Sequence, residues 1–114
     1  MIDFNARLRT LLLQADIPVY YEAFKQKEAT PCISYMEVNN SVYAIGDTLN
    51  YSNLSYMVKV WAETITEANA IANEINTILA ANGFVRVSSQ DMVDNNLIMK
   101  VMRFNAIGLE QEVN

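Results

Sequence analysis

At 114 residues, the chain has room for one domain with a sizeable core but not for two. Apolar residues make up 52% and charged residues 18%, and no apolar run approaches the ~20 residues of a bilayer-spanning helix, so neither disorder nor membrane insertion is expected. The formal charge of −5 argues against tight binding to a phosphate backbone, and the first residues lack a signal-peptide pattern, so we expect the chain to stay in the compartment where it is made.

The first predicted element is an amphipathic helix capped by Asp3 and running to about Gln14. Residues 17–21 are predicted to be extended because Pro18 prevents a helical continuation. The charged connector over residues 22–30 is predicted to be a mobile loop. The apolar residues that fall on one face of the helix are Phe4, Leu8, Leu11, Leu12 and Ala15.

Two long strand-like runs, Cys32–Ile45 and Ser52–Ala62, are separated by turn-forming residues and predict a β-hairpin. A turn centred near Thr48 would satisfy charged, aromatic and aliphatic cross-strand pairs in one register. The predicted pairs are Glu37 with Lys59, Tyr35 with Trp61, and Val38 with Val58.

This register predicts a sheet with two unlike faces. The first face is nearly all apolar and is predicted to form the core: Met36, Val38, Val42, Leu54, Tyr56, Val58 and Val60. The second face is mixed, but it is too apolar for an ordinary solvated surface: Ile33, Tyr35, Glu37, Met57, Lys59 and Trp61. Either the first helix or a neighbouring subunit is expected to cover it.

A long amphipathic helix follows the hairpin and is predicted to cover the apolar face. Thr64 and Glu67 form a capping-box pattern at its start, and Gly83 marks its end. Its apolar stripe comprises Ile65, Ala68, Ile71, Ala72, Ile75, Ile78 and Leu79.

A second hairpin is predicted from the strands at residues 84–89 and 97–107, with a turn near Asp94–Asn96. Residues 108–114 are predicted to be a flexible tail. The fold class is therefore α+β: one domain over residues 1–114, with a mostly antiparallel sheet of four to five strands, a long helix on one face and an N-terminal helix.

No pattern points to catalysis, a metal or a cofactor. The chain has no histidine, and its single Cys32 lies in an apolar run where a buried thiol is expected, so zinc and Cys–His sites are not predicted. The glycines stand alone at element ends rather than in a phosphate-binding loop. The carboxylate pairs Asp91 with Asp94 and Glu110 with Glu112 are better explained as turn and tail residues.

The aromatic residues around the first hairpin are the strongest candidates for a functional role. Tyr, Trp and Met are enriched in protein interfaces, and six tyrosines with one tryptophan exceed what a core of this size needs. Burial beneath the first helix would explain them as well. The candidate interface residues are Tyr35, Met57 and Trp61 on the mixed face, and Tyr43, Ile45, Asp47, Leu49 and Tyr51 around the hairpin tip.

Several segments together resemble the tail-completion, or tail-terminator, proteins that join heads to tails in long-tailed bacteriophages. The segments span most of the chain, and their motifs are structural. They are residues 17–21, 31–35 and 56–62, the alanine- and isoleucine-rich helix, Asn82–Phe84, and Lys100–Phe104.

The resemblance implies a non-enzymatic virion protein that assembles from host-cytoplasmic subunits as a ring, typically a hexamer, at the end of the tail tube. Its partners would be further copies of itself, the tail-tube protein and the head connector, with no membrane. DNA would pass nearby without specific binding, which suits the negative charge. The mixed face would contact a subunit, and the hairpin tip a partner.

A secretion-chaperone-like binding protein is the alternative that the sequence leaves open. Such proteins are also small, acidic, α+β and intracellular, and they generally form stable dimers. A sensor or an enzyme would require a deep pocket with convergent polar groups.

Overall fold

The structure, a computed structural model, describes residues 4–21, 30–45, 49–94 and 96–109. Its helices are α1 (Phe4–Leu12), which continues as a 3₁₀ turn (Leu13–Ala15), and α2 (Ile65–Ala80). Its strands are β1 (Val19–Tyr21), β2 (Cys32–Ile45), β3 (Leu49–Ala62), β4 (Val85–Asp94) and β5 (Leu97–Leu109). The predicted Asp3 cap and most of the predicted mobile loop lie outside the described residues.

The strands form one five-stranded sheet in the order β1-β2-β3-β5-β4. Only β1 and β2 pair in parallel, so the predicted mostly antiparallel α+β fold is confirmed. Both predicted hairpins are present. The β4 strand is longer than expected because it continues past Ser89 to Asp94, and β5 extends into the predicted tail as far as Leu109.

The helix α2 begins as the capping pattern predicts. The Thr64 hydroxyl accepts a hydrogen bond from the Glu67 backbone N–H over 3.2 Å, which satisfies a donor that the first turn leaves free. At the other end, Gly83 has a φ of 89° and lets the chain turn into β4. The buried residues of α2 are Ala68, Ala72, Ile75 and Leu79, whereas Ile65, predicted in the stripe, is exposed.

Both helices pack on the same face of the sheet. The buried residues of α1 and the side chains of Ala72, Ile75 and Leu79 of α2 share one core with Val58 and Val60 of β3. Arg7 of α1 contacts the turn that follows α2, since its guanidinium donates to the Asn82 carbonyl over 3.2 Å. Arg9 donates to the Val19 carbonyl over 3.1 Å. Both arginines therefore make contacts within the fold.

The predicted register of the first hairpin is wrong. Tyr35 lies opposite Val58 rather than Trp61, Lys59 lies opposite Ser34, and Glu37 lies opposite Tyr56. Two local features cause the shift: the tip pairs Ile45 with Leu49, and a bulge interrupts the ladder at Val38. Sequence pairing rules favoured the alternative register but could not detect the bulge.

Over Cys32–Glu37 the shift is three residues, an odd number, so it exchanges the two faces of this part of β2 relative to β3. Over Asn39–Ile45 the shift is two residues, which leaves the faces as predicted. Ile33 and Tyr35 lie in the core with the helices, whereas Met36, predicted in that core, pairs with Met57 on the other face. The β3 prediction is confirmed, because Leu54, Tyr56, Val58 and Val60 are all buried towards the helices.

Candidate functional site

The open face, defined as the sheet surface opposite the helices, is the candidate functional site. It is built by alternate residues of β3 and β5, because successive side chains of a strand point to opposite faces. No helix residue within the described part of the chain belongs to the hydrophobic cluster on this face. The residues of β3 and β5 on it are Asn53, Ser55, Met57, Lys59, Trp61, Leu97, Met99, Val101, Arg103, Asn105 and Ile107.

Trp61 lies on the open face, but the chain itself buries it to 6% exposure. Cys32 and Met99 pack beside it, and Tyr20, Leu97 and Val101 pack around this cluster. The indole Nε1 donates a hydrogen bond to the Oγ of Ser34 over 3.0 Å. Trp61 therefore holds a second, smaller core together and is not covered by the first helix.

Tyr35 does not lie on the open face. Its ring is 4% exposed and meets the ring of Tyr21 edge-on, with centroids 5.3 Å apart and an interplanar angle of 88°. Both rings belong to or pack against the core beneath the helices. The tyrosine therefore contributes to folding, which corrects the expected placement beside Trp61.

Among the predicted site residues whose side chains the structure describes, Met57 is the one that lies half-buried on the open face. Its neighbours across the ladder are Met36 on β2 and Arg103 on β5, which sequence reasoning did not single out for this face. The alternation of apolar and other residues along β5 was the signal that could have placed Val101 and Arg103 there. The result is a flexible apolar patch flanked by the cations Lys59 and Arg103.

The hairpin tip is the end of the long strand pair β2 and β3 at which Ile45 pairs with Leu49. Both strands contain 14 residues, and the molecule measures 52 × 23 × 22 Å. Tyr43, Ile45, Leu49 and Tyr51 belong to these strands, but their side chains lie outside the described residues, as does all of Asp47. Their predicted contact role stays a prediction.

The described residues do not assemble a centre for metal binding. They contain no group of three or more His, Cys, Asp and Glu side chains that could hold a metal ion. The Asp91 carboxylate instead binds the Lys100 ammonium of β5 over 2.6 Å. A depression near Gly83 is lined by the amides Asn53 and Asn105 and by apolar side chains, without a titratable group among its lining residues.

The comparisons with known proteins agree with this architecture of packed surfaces. The model of the family "Tail completion protein gp17" matches residues 5–106. The chain belongs to this family. It is therefore a structural phage protein of tail completion, as the resemblance of its segments predicted.

Two solved structures share the fold. A chain of the "Virion of native gene transfer agent (GTA) particle" matches with a TM-score of 0.54 and 18% identity, over 90% of this chain and 86% of its own length. Another solved chain matches with a TM-score of 0.54 and 14% identity, over 97% of this chain and 93% of its own. No curated protein sequence matches. Within the described residues, no helix has the length and apolar character needed to cross a membrane.

Proposed function

We propose that this chain completes the phage tail by assembling as a ring, a hexamer, at the end of the tail tube, where it joins the head connector. The observation that carries the proposal is the family match over residues 5–106. The fold shared with a chain of a gene transfer agent virion supports it. Subunits would be made in the host cytoplasm and act without catalysis in the virion, at the junction of head and tail.

The open face and the hairpin tip are the surfaces proposed to contact the partners. Met57, Met36 and Val101 provide half-buried apolar area, and methionine side chains adapt to an irregular partner surface. Trp61 supports this patch from the side through its cluster with Met99. The hairpin of β2 and β3 would reach from the ring towards the tail tube or the connector.

The open face and the surface of α2 differ in charge. The open face carries Lys59 and Arg103. By contrast, α2 carries Glu67 and Glu74 and contains no lysine or arginine. An acidic wall repels the phosphate backbone, so DNA could pass it without binding. Because α1 on the same side carries Arg7 and Arg9, the acidic surface is that of α2 alone. We infer that this surface of α2, rather than the open face, borders the DNA passage.

Disruption of the gene in the phage or prophage that carries it tests the proposal. Electron microscopy should then show filled heads and separate tails, and the purified wild-type chain added to that lysate should restore joined particles. Six-fold averages of the tail end should show the added ring. Normal virions made without the chain would contradict the proposed function, and a tight dimer at low micromolar concentration would favour the chaperone-like alternative.

A further inference from the structure

The two lateral edges of the sheet are both open among the described residues. On one side, β4 has β5 as its only partner strand. On the other, β1 pairs with Ile33–Tyr35, and no described strand pairs with the segment Met36–Ile45 on the side away from β3. Each open edge presents a row of backbone N–H and C=O groups that another strand can pair with.

The edge strand β4 is unusually apolar for a solvated edge. Every residue over positions 85–93 is exposed, and a strand of ten residues is long for an unprotected edge. Val85 and Val93, near its two ends, are 64% and 72% exposed, and Val87 and Met92 are also exposed. Such a strand favours association with a further strand over remaining in water.

We propose that β4 of one copy pairs with the segment Met36–Ile45 of β2 in a second copy, so that a continuous sheet joins neighbouring subunits. This inference rests on the proposed ring. The two segments have the same length, ten residues, and lie on opposite edges of the sheet. A contact between two different edges is heterologous, and heterologous contacts are the kind that build rings.

The strand directions suit this contact. Within one chain, β2 is antiparallel to β3, β3 to β5, and β5 to β4, so β4 runs antiparallel to β2. Rotation of a copy about an axis that runs along the strands keeps the direction of β2. The β2 strand of the neighbour therefore meets β4 in antiparallel orientation, which gives the better-aligned hydrogen bonds.

The open segments are also staggered, as closure of a sheet requires. Asn40, near the middle of the β2 segment, lies level with Leu54 and hence with Ala106 of β5. Ser89, in the middle of β4, lies level with Met102 of β5. The two midpoints therefore differ by about four residues along β5, or ~14 Å at ~3.4 Å per residue.

Charge and backbone irregularity on β4 oppose its association outside the tail. Arg86 is exposed on this strand. Asp91 is already bound by Lys100 within the chain. The bulge between Arg86 and Ser88 and the charge of Arg86 discourage pairing in dilute solution. The tail tube would overcome this by holding the subunits side by side.

The test compares the double variant Val85→Lys/Val93→Lys with the control double variant Leu13→Lys/Ile65→Lys. The control residues are also apolar and are 45% and 43% exposed, but Leu13 lies in the 3₁₀ turn and Ile65 at the start of α2, away from the β4 edge. Lysine at an edge prevents strand addition. The readout is the number of chains bound per purified tail, with tails taken from phage that lack this gene.

The edge variant should remain folded by circular dichroism and should bind to tails at least about tenfold less than wild type, because paired strands would lose backbone hydrogen bonds and desolvate the lysines. The control should bind within about twofold of wild type, as expected for surface substitutions. Unchanged binding of the edge variant, or equal loss in the control, would overturn the edge pairing alone. Failure of wild type to bind tails would overturn the proposed function and the edge pairing together.

Cysteine cross-linking provides a second measurement that does not weaken the edge. Ser88→Cys is combined in turn with Asn39→Cys, Ser41→Cys and Val42→Cys, while Cys32 stays in place because it is fully buried. Antiparallel neighbours bring at least one pair within disulfide distance, so oxidation on the tail should give a ladder of cross-linked copies. Absence of a ladder in all three combinations would overturn the pairing.

Discussion

Trp61 and Ser34 are joined across β3 and β2 by a buried hydrogen bond of 3.0 Å from the indole Nε1 to the serine Oγ. Both side chains lie on the open face, and the cluster around the indole contains no residue of the described helices. The bond fixes the indole against Cys32 and Met99. It therefore gives the uncovered side of the sheet a small core of its own.

Replacement of Trp61 by alanine should lower the free energy of unfolding by about 3–5 kcal/mol, because it removes a large buried side chain and leaves a cavity. Ser34→Ala should cost about 1–3 kcal/mol, since it removes the acceptor of a buried indole N–H without removing the ring. Urea denaturation measures both. Ser88→Ala, at an exposed position of β4, is the control and should change stability by less than about 0.5 kcal/mol. An alanine variant of Trp61 as stable as wild type would show that the indole is not part of a core.

Tyr35 should behave as a core residue. Tyr35→Ala is expected to destabilise the isolated chain by about 3–5 kcal/mol, because the ring fills the space between Tyr21 and the helices. Thermal unfolding followed by circular dichroism measures the loss. A variant that unfolds like wild type but cannot join tails would instead support a subunit contact.

Tyr35 also shows where sequence reasoning reached its limit. Alternation along β3 correctly placed Tyr56, Val58 and Val60 under α2, because each strand has a strict two-residue period. Which face of β2 matches them depends on the register, and the register depends on the tip and the Val38 bulge. Neither the pairing at the tip nor the bulge leaves a clear signal in residue types. The bulge adds the single residue that places Tyr35 on the opposite side of the sheet from the predicted one.

The long helix was predictable for the opposite reason. Its capping pattern, apolar period and terminal glycine lie close together in sequence, so they do not depend on distant pairing. Only the exposed Ile65 departed from the expected stripe, because it lies at the first helical position, where the helix enters from β3. The candidate site was less predictable. The open face combines residues from strands far apart in the chain, and β4 continued past the expected end at Ser89.

Removal of the α2 cap should have a modest and local effect. Thr64→Ala is expected to lower the free energy of unfolding by about 1 kcal/mol, because the Glu67 N–H loses its acceptor. Thr66→Ala, an exposed position within the first turn, is the matched control and should have a smaller effect or a slightly stabilising one. Urea denaturation of the two variants side by side measures the difference. Equal stabilities would show that the cap contributes little in the folded protein.

Met57 tests whether the open face contacts a partner in the assembled tail. Met57→Gln keeps the length of the side chain and should change the free energy of unfolding by no more than about 1.5 kcal/mol, since the residue is only half-buried. If the patch of Met36 and Met57 packs against a partner, a polar amide should weaken binding to tails by about tenfold, equivalent to ~1.4 kcal/mol. Leu13→Gln is the control because Leu13 is exposed outside the sheet. If the Met57 variant joins tails as well as wild type, the open face does not contact a partner in the virion. If the Leu13 variant loses binding to tails, the contact lies on the side of the sheet that carries the helices.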